Sequence, residues 1–450
     1  MAAINQVMLS EAVHNNRFSA EFFDPQYVFK PSASSTWLPI GRILKKCEYG
    51  ISISMNTEGD GYPIFRMNEI ENCFALRPEK FAAIPNFIFQ QYKLNENDVL
   101  FNRTNSFEFV GRTGIVKDQT DCTFASYLIR LVPDSNIILP EYLTIYLNTP
   151  FGIGQIKRRA MRSINQANVS GAEVKKILIP IASVAEQQKV ANDLNDAFSA
   201  ARKGEQLYKD AQHLLESELG LDKLKFKKPV GYMARFRELE QSRRTDSEFF
   251  NPELRHFWQK LSARFEMIPI SKLAAILKFG NPLYGTGGMP IVTQKHLRLI
   301  SPEGYGDELR TTVSWQKANP TAILRYNDLL FYSVGAYLGK TNLWLNSDTA
   351  VPASFITLLR CYDDNDAGFL HMVLNSRYGI LQSKCFQSGT SQQYIYPKDI
   401  RKFLIPEVNE KLRKTLNELV SQSYEKGIES KRLLDQAKTR VEQLIEEAAA

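Results

Sequence analysis

Apolar positions recur with a heptad rhythm in two places along the chain. From Ser183 to Leu219 there is no proline and a single glycine. Within that stretch Val190, Leu194, Ala197, Ala201, Gly204, Tyr208, Ala211 and Leu215 step alternately by four and three residues. Such spacing predicts a long helix with one apolar stripe. The same ladder returns 226 positions on as Leu416, Val420, Ser423, Gly427, Ser430, Leu434, Ala437 and Val441, apolar at both ends and small in the middle. The matched register predicts that the two helices pair with each other, the small central residues Ala201, Gly204, Gly427 and Ser430 letting the backbones approach closely. Two separate amphipathic helices, each lying on its own domain, is the alternative reading. About 36 residues at ~1.5 Å each make a rod of roughly 54 Å.

Outside these stretches the pattern is that of short strands. Val99-Leu100-Phe101, Ser126 to Leu131 and Ser354 to Leu359 are short β-branched or aromatic runs divided by Gly, Asn, Asp and Pro. A helical stretch follows near Pro140 to Tyr146, with a counterpart at Ala367 to Leu374. The expected class is α+β.

The chain is written twice. Phe22-Phe23-Asp24-Pro25 recurs as Phe249-Phe250-Asn251-Pro252, Leu38-Pro39-Ile40 as Ile268-Pro269-Ile270, and Tyr62-Pro63-Ile64 as Met289-Pro290-Ile291. Asn97-Asp98-Val99-Leu100-Phe101 answers Asn327-Asp328-Leu329-Leu330-Phe331, Val110-Gly111-Arg112-Thr113 answers Leu338-Gly339-Lys340-Thr341, and Ala125-Ser126 answers Ala353-Ser354. Leu147-Asn148-Thr149 with Gly152 matches Leu374-Asn375-Ser376 with Gly379, and Lys176-Ile177-Leu178-Ile179-Pro180 matches Lys402-Phe403-Leu404-Ile405-Pro406. So many matches in one order, at offsets of 226 to 230, identify a tandem duplication. The expected layout is a first domain with an N-terminal leader over 1–182, a helix over 183–219, a basic connector over 220–247, a second domain over 248–407 and a second helix over 408–450.

Composition narrows the classes. Hydrophobic content of 44% and charge of 23% are globular values. No stretch approaches eighteen uncharged apolar residues, and Met1 to Asn16 lacks the basic region and apolar run of a signal peptide. Cys47, Cys73, Cys122, Cys361 and Cys385 stand far apart, which argues against a zinc module and suits a reducing cytoplasm. The net charge of +7 permits nucleic-acid binding without establishing it. The connector holds Lys223, Lys225, Lys227, Lys228, Arg235, Arg237, Arg243 and Arg244, readable either as a solvated linker or as phosphate contacts.

The ordered set of motifs resembles the DNA-specificity subunit of type I restriction-modification systems across nearly the whole chain. The resemblance is carried by Tyr62-Pro63-Ile64-Phe65-Arg66-Met67-Asn68, the Asn-Asp-Val-Leu and Asn-Asp-Leu-Leu strand starts, and the Gly-Arg-Thr and Gly-Lys-Thr turns. Added to these are the polar segments Ser163 to Asn168 and Ser388 to Gln393, and Ile177 to Pro180 followed by Ala185-Glu186-Gln187. The second copy departs from the pattern, with Asn409-Glu410-Lys411-Leu412 where the first has Ala185-Glu186-Gln187-Gln188. The resemblance implies two target-recognition domains, each followed by a long helix, with the helices paired as an antiparallel coiled coil. It also implies a chain without a catalytic site of its own that binds double-stranded DNA and scaffolds two methyltransferase subunits. S-adenosylmethionine would be bound by those partners, and ATP-dependent restriction and translocase subunits would join in a full system. No membrane association is implied, and the location is the cytoplasm.

Two motifs imitate catalytic chemistry. Asp24-Pro25-Gln26-Tyr27 is similar to the Asp-Pro-Pro-Tyr loop of amino-methyltransferases, which grip a flipped base, but it lacks the second proline. Pro133-Asp134 with Glu173-Val174-Lys175 imitates a nuclease metal site, which a turn aspartate and a solvated helix end explain more simply. No G-x-x-x-x-G-K-[ST] loop is present, and His14, His213, His256, His296 and His371 lack ligand spacing.

If DNA is the ligand, affinity comes from cations on phosphates and sequence from side chains at base edges. Candidates in the first copy are Arg66, Asn68, Arg103, Thr104, Asn105, Arg112, Lys157, Arg158, Arg159, Arg162, Asn165 and Gln166. In the second copy they are Thr293, Gln294, Lys295, His296, Ser333, Tyr337, Lys340, Ser391, Gln392, Gln393 and Tyr394. Arg and Asn match guanine and adenine edges in the major groove. The copies differ most at these places while their frames agree, which predicts two different half-sites and an asymmetric bipartite target. The competing readings are a DNA-binding scaffold of another phage-defence or anti-restriction system without a methyltransferase partner, and a reader fragment of a larger methyltransferase or nuclease.

Overall fold

The structure, a computed structural model, describes residues 7–15, 18, 20–27, 31, 36–118, 121–227, 229–279, 281–306, 309–389 and 392–447. It divides into two compact units, Met1–Ala201 with Ile428–Ala450, and Arg202–Gly427.

In the first unit a six-stranded sheet runs in the order Leu44–Tyr49, Leu128–Pro133, Val99–Asn102, Thr113–Ile115, Phe74–Ala75, Ile70–Glu71. Trp37–Pro39 pairs antiparallel with Leu178–Pro180, bringing the start and end of the globular part together. The helix Pro140–Leu147 is buried along its whole length, with proline at its first position where no amide partner is needed. Val99, Phe101, Ile129 and Leu131 of the sheet and Tyr142 and Tyr146 of this helix form one core. Joining them in that core are Val190, Leu194 and Ala197 of one long helix, Val184–Leu219, and Leu434, Ala437 and Val441 of the other, Glu410–Glu447.

The second unit repeats the plan. Met267–Pro269 pairs with Leu404–Pro406, and a four-stranded sheet runs Ala274–Leu277, Ile356–Cys361, Asp328–Tyr332, Thr341–Trp344. Its core gathers Leu329, Phe331 and Leu359 with Phe369 and Val373 of the helix Asp366–Asn375. Tyr208, Ala211 and Leu215 of the first long helix meet Leu416 and Val420 of the second in the same core. His371, fully buried there, lies 3.2 Å from the Tyr208 hydroxyl, and burial pushes its imidazole pKa down to about 3. The class is α+β, with the duplicated globular part followed in each copy by a long helix.

The repeated motifs are frame chemistry. Asn97 and Asn327 both adopt φ 68°, a left-handed conformation that asparagine tolerates at a turn. The aspartate that follows closes that turn: Asp98 Oδ2 accepts from Asn95 N at 2.9 Å, and Asp328 Oδ2 from Arg325 N at 2.8 Å. Each also pairs with an arginine on the neighbouring strand, Arg130 at 3.2 Å and Arg360 at 2.7 Å. Gly111 (φ 95°) and Gly339 (φ 86°) admit no side chain, since a Cβ would lie 2.4 Å from Ile156 and 2.5 Å from Ser383. Thr149 and Ser376 cap the helices Pro150–Arg159 and Arg377–Phe386 by accepting from Gly152 N and Gly379 N, both at 3.3 Å. The side-chain amides of Gln155 and Gln382 clamp the backbone of Leu178 and Leu404 through paired bonds of 2.8 to 3.1 Å.

Within each unit one half of the first long helix lies antiparallel against the opposite half of the second. In the first unit Arg440 pairs with Asp193 at 3.4 Å, and in the second Ser423 donates to the Gly204 carbonyl at 2.7 Å. Gly204 is buried, and a Cβ there would stand 2.9 Å from the Ser423 carbonyl oxygen, so close approach needs its missing side chain. Gly427 departs from the expected seam: it is exposed, and an added Cβ meets no described atom within 4 Å. The two imitations of catalytic sites hold turns instead. Asp24 accepts from Gln26 N at 3.0 Å, Asp134 from Asn136 N at 3.1 Å, and Glu173 pairs with Lys176 at 2.8 Å.

Candidate nucleic-acid interface

In the first unit the hairpin Met161–Ser163 and Gln166–Asn168 joins Thr104–Asn105 in a three-stranded sheet, with Ala167 facing Asn105 and Asn168 facing Thr104. This sheet unites two candidate groups that lie about sixty positions apart in the sequence. Residues Met161 to Gln166 are all exposed, whereas Ala160 and Ala167 at the root are buried. The turn forms because Asn165 takes φ 63°. Phe107 provides a platform: Arg162 stacks over its ring at 3.4 Å and Lys157 lies 5.0 Å from the ring centre. Arg112 is exposed over Phe109 at 4.0 Å.

Other candidates are committed inside the unit. The Lys157 amine donates to the carbonyls of Phe107, Glu108 and Val110, the last two at 3.0 Å, and burial pushes its pKa down to about 8. Arg103 donates to Asn168 Oδ1 at 2.7 Å and lies 5.0 Å from the Tyr49 ring centre. Thr104 is buried, and Asn105 Oδ1 accepts from Ser106 N at 2.8 Å. Arg158 donates to Phe22 O at 2.8 Å, and Arg159 to Gln155 O and Lys176 O at 3.3 Å. Five buried polar atoms on Asn102, Arg103, Thr104 and Ser106 have no hydrogen-bond partner among the described residues, a local concentration that marks this strand end. Arg66 is half-buried and bound to Glu69, which also accepts from the Arg66 amide at 2.7 Å; Asn68 beside it is exposed.

The second unit carries different residues on the same frame. The Ser333 amide donates to Phe355 O at 3.0 Å where the Arg103 amide donates to Tyr127 O at 3.0 Å, and Ala353 N meets Val292 O as Ala125 N meets Phe65 O, both at 2.9 Å. Thr293 N donates to His296 Nδ1 at 3.0 Å, in the place of Arg66 and Glu69. His296 is buried, and its pKa is lowered by that burial and by Lys295 and Arg298. Ser333 is buried against Thr357 at 2.5 Å, and Gln294 donates to the Val334 carbonyl. Exposed to solvent are Lys295, Tyr337, Lys340, Gln392 and Gln393, with Tyr394 half-buried against Tyr396 and donating to Gln392 at 2.9 Å. Ser391 lies outside the described residues, as does Lys228 of the connector. Arg244, another connector cation, is bound to Asp246 at 2.6 Å and to Gln387 O at 2.6 Å.

Glu69 and the Phe107 platform were not among the expected residues; His296 was, but it is buried and accepts from the Thr293 amide. The only trace of Phe107 in the sequence is an aromatic between two arginine-bearing turns.

Comparison with known proteins adds a family. Residues 43–206 match the family described as type I restriction modification DNA specificity domain. The chain is 28% identical over 205 residues to the EcoKI specificity subunit of Escherichia coli K12, covering 44% of this chain and 42% of that protein. It is 29% identical over 159 residues to the putative MjaX specificity subunit of Methanocaldococcus jannaschii, covering 34% and 37%. The matched stretches thus span less than half the length of these curated relatives. Among solved structures, an S subunit of a type I restriction-modification system from M. genitalium aligns over 93% of this chain and 98% of its own, with 13% identity and a TM-score of 0.46. Residues 43–206 thus match the type I restriction modification DNA specificity domain, and the chain is similar to specificity subunits of those systems.

Proposed function

We propose that the chain is the non-catalytic sequence-reading subunit of a type I restriction-modification enzyme, recognising an asymmetric bipartite site in double-stranded DNA. The observation that carries this reading is that, on a shared frame, each unit exposes cations and amides that differ between the copies. These are Arg112, Arg162, Asn165 and Gln166 in the first, and Lys340, Gln392 and Gln393 in the second. Arginine and amide side chains carry the donor and acceptor pairs that suit base edges, and the cations suit phosphates. In this reading two methyltransferase subunits bind the chain and supply S-adenosylmethionine, and ATP-dependent restriction and translocase subunits complete the system in the cytoplasm. None of the described helices is long and apolar enough to cross a membrane.

The test is methyl transfer to DNA by the purified chain, alone and with its methyltransferase partner, followed by mapping of the modified sites. Transfer is expected only from the complex, at a site of two unlike half-sites with an unread spacer. Transfer by the chain alone, or a single contiguous motif, would overturn the proposal.

A further inference from the structure

Resting on that reading of the first unit as a DNA reader, we propose that Ile164 is a specificity residue that packs on the C5-methyl group of a thymine in the major groove. Ile164 is 91% exposed at the first position of a two-residue hairpin turn, between the paired residues Ser163 and Gln166. The left-handed backbone of this turn falls on Asn165, so the first position is open to most residues, and the turn itself does not call for an apolar side chain there. Beside it on the hairpin stand Arg162, over Phe107, and Asn165 and Gln166, with Met161 also exposed at the start of the first strand. The cation and the amides at this tip suit a polyanion. A two-stranded ribbon fits the major groove, ~12 Å wide, and the thymine methyl is the apolar group among the base edges there. The hairpin can present its tip in a fixed place because its root is held: Ala167 is buried and faces Asn105, and Asn168 accepts from Arg103 at 2.7 Å. Asn165 and Gln166 would then take hydrogen bonds at the adjoining bases while Ile164 reads the methyl.

The experiment measures affinity of the complex reconstituted with its methyltransferase partner for duplexes carrying the mapped site. Each half-site thymine is replaced in turn by deoxyuridine, which removes only the methyl group. The wild type is expected to lose about fourfold in affinity at one thymine of the first half-site, the contribution of one buried methyl. Ile164→Ala is expected to bind the thymine and deoxyuridine duplexes equally and to keep the wild-type melting temperature. Indifference of the wild type to every substitution, a first half-site without thymine, or undiminished sensitivity in Ile164→Ala would overturn the assignment. Failure of the DNA-reading proposal itself would look different: binding would show no preference for the mapped site over unrelated duplex.

Discussion

Lys157 and Arg162 stand five residues apart with the same charge, and the fold gives them opposite work. Lys157 ends a helix with its amine turned inward onto three carbonyls, whereas Arg162 lies beyond buried Ala160 on the exposed hairpin. In the sequence both belong to one basic run, Lys157-Arg158-Arg159-Ala160-Met161-Arg162, and no local pattern separates them. What separates them is a non-local fact: the loop from Phe107 to Val110 folds back onto the helix end and offers its carbonyls there. Lys157→Ala leaves these carbonyls without their donor, at an expected cost of about 1–3 kcal/mol in stability. Arg162→Ala should change stability by no more than about 0.5 kcal/mol, as at other exposed positions. Its DNA affinity should fall by about 1–3 kcal/mol on the cognate site if it meets a base, or evenly on all sequences if it meets phosphate. Thermal unfolding and DNA titration of both variants decide the matter; an unfolding defect confined to Arg162→Ala would reverse these roles.

Among the elements, the long helices were legible and the small sheets were not. A heptad ladder is local information repeated eight times, and its outer positions Val190, Leu194, Ala211, Leu215, Leu416, Val420, Ala437 and Val441 are all buried. The sheet that holds the candidate interface is built from strands of two or three residues, too short to show an alternation. Its register is set by pairing Ala167 with Asn105 across the whole globular part. At the ladder's centre the two glycines differ: a Cβ on Gly204 would press on the Ser423 backbone, whereas one on Gly427 would point into open space. Opposite effects are therefore expected from substituting the two glycines. Gly204→Val forces a branched side chain into a contact already 2.9 Å from the Ser423 carbonyl oxygen, and should destabilise by about 1–3 kcal/mol. Gly427→Ala meets open space and gains helix propensity, and should stabilise by up to about 1 kcal/mol. Chemical denaturation of both variants measures this, and a stabilising Gly204→Val would show that the helices do not touch there.

At the scale of the whole molecule the duplication was the clearest signal, because frame residues are conserved in type by fold chemistry: a left-handed Asn, a turn-closing Asp, an unsubstitutable Gly, a capping Thr or Ser. The candidate residues between these frame positions are free to differ, and the sequence pattern does not decide which of their side chains face outward. The first long helix runs unbroken from Val184 to Leu219 and so belongs to both units, as does Glu410–Glu447. If these helices set the separation of the half-sites, their length should fix the number of unread base pairs. Inserting one heptad after Gly204 and one after Ser430 keeps the apolar ladder in phase. Seven residues at ~1.5 Å each lengthen each helix by about 10 Å. At about 3.4 Å per base pair the preferred spacer should then grow by roughly three. Three base pairs also turn one half-site about the DNA axis by roughly a third of a ~10.5-base-pair turn, so a loss of affinity is expected alongside the new spacing. The half-site sequences themselves should not change. Mapping methylated sites with the double-insertion variant and its partner subunit reads the spacer directly. An active variant that keeps the original spacer would show that something other than helix length sets the distance.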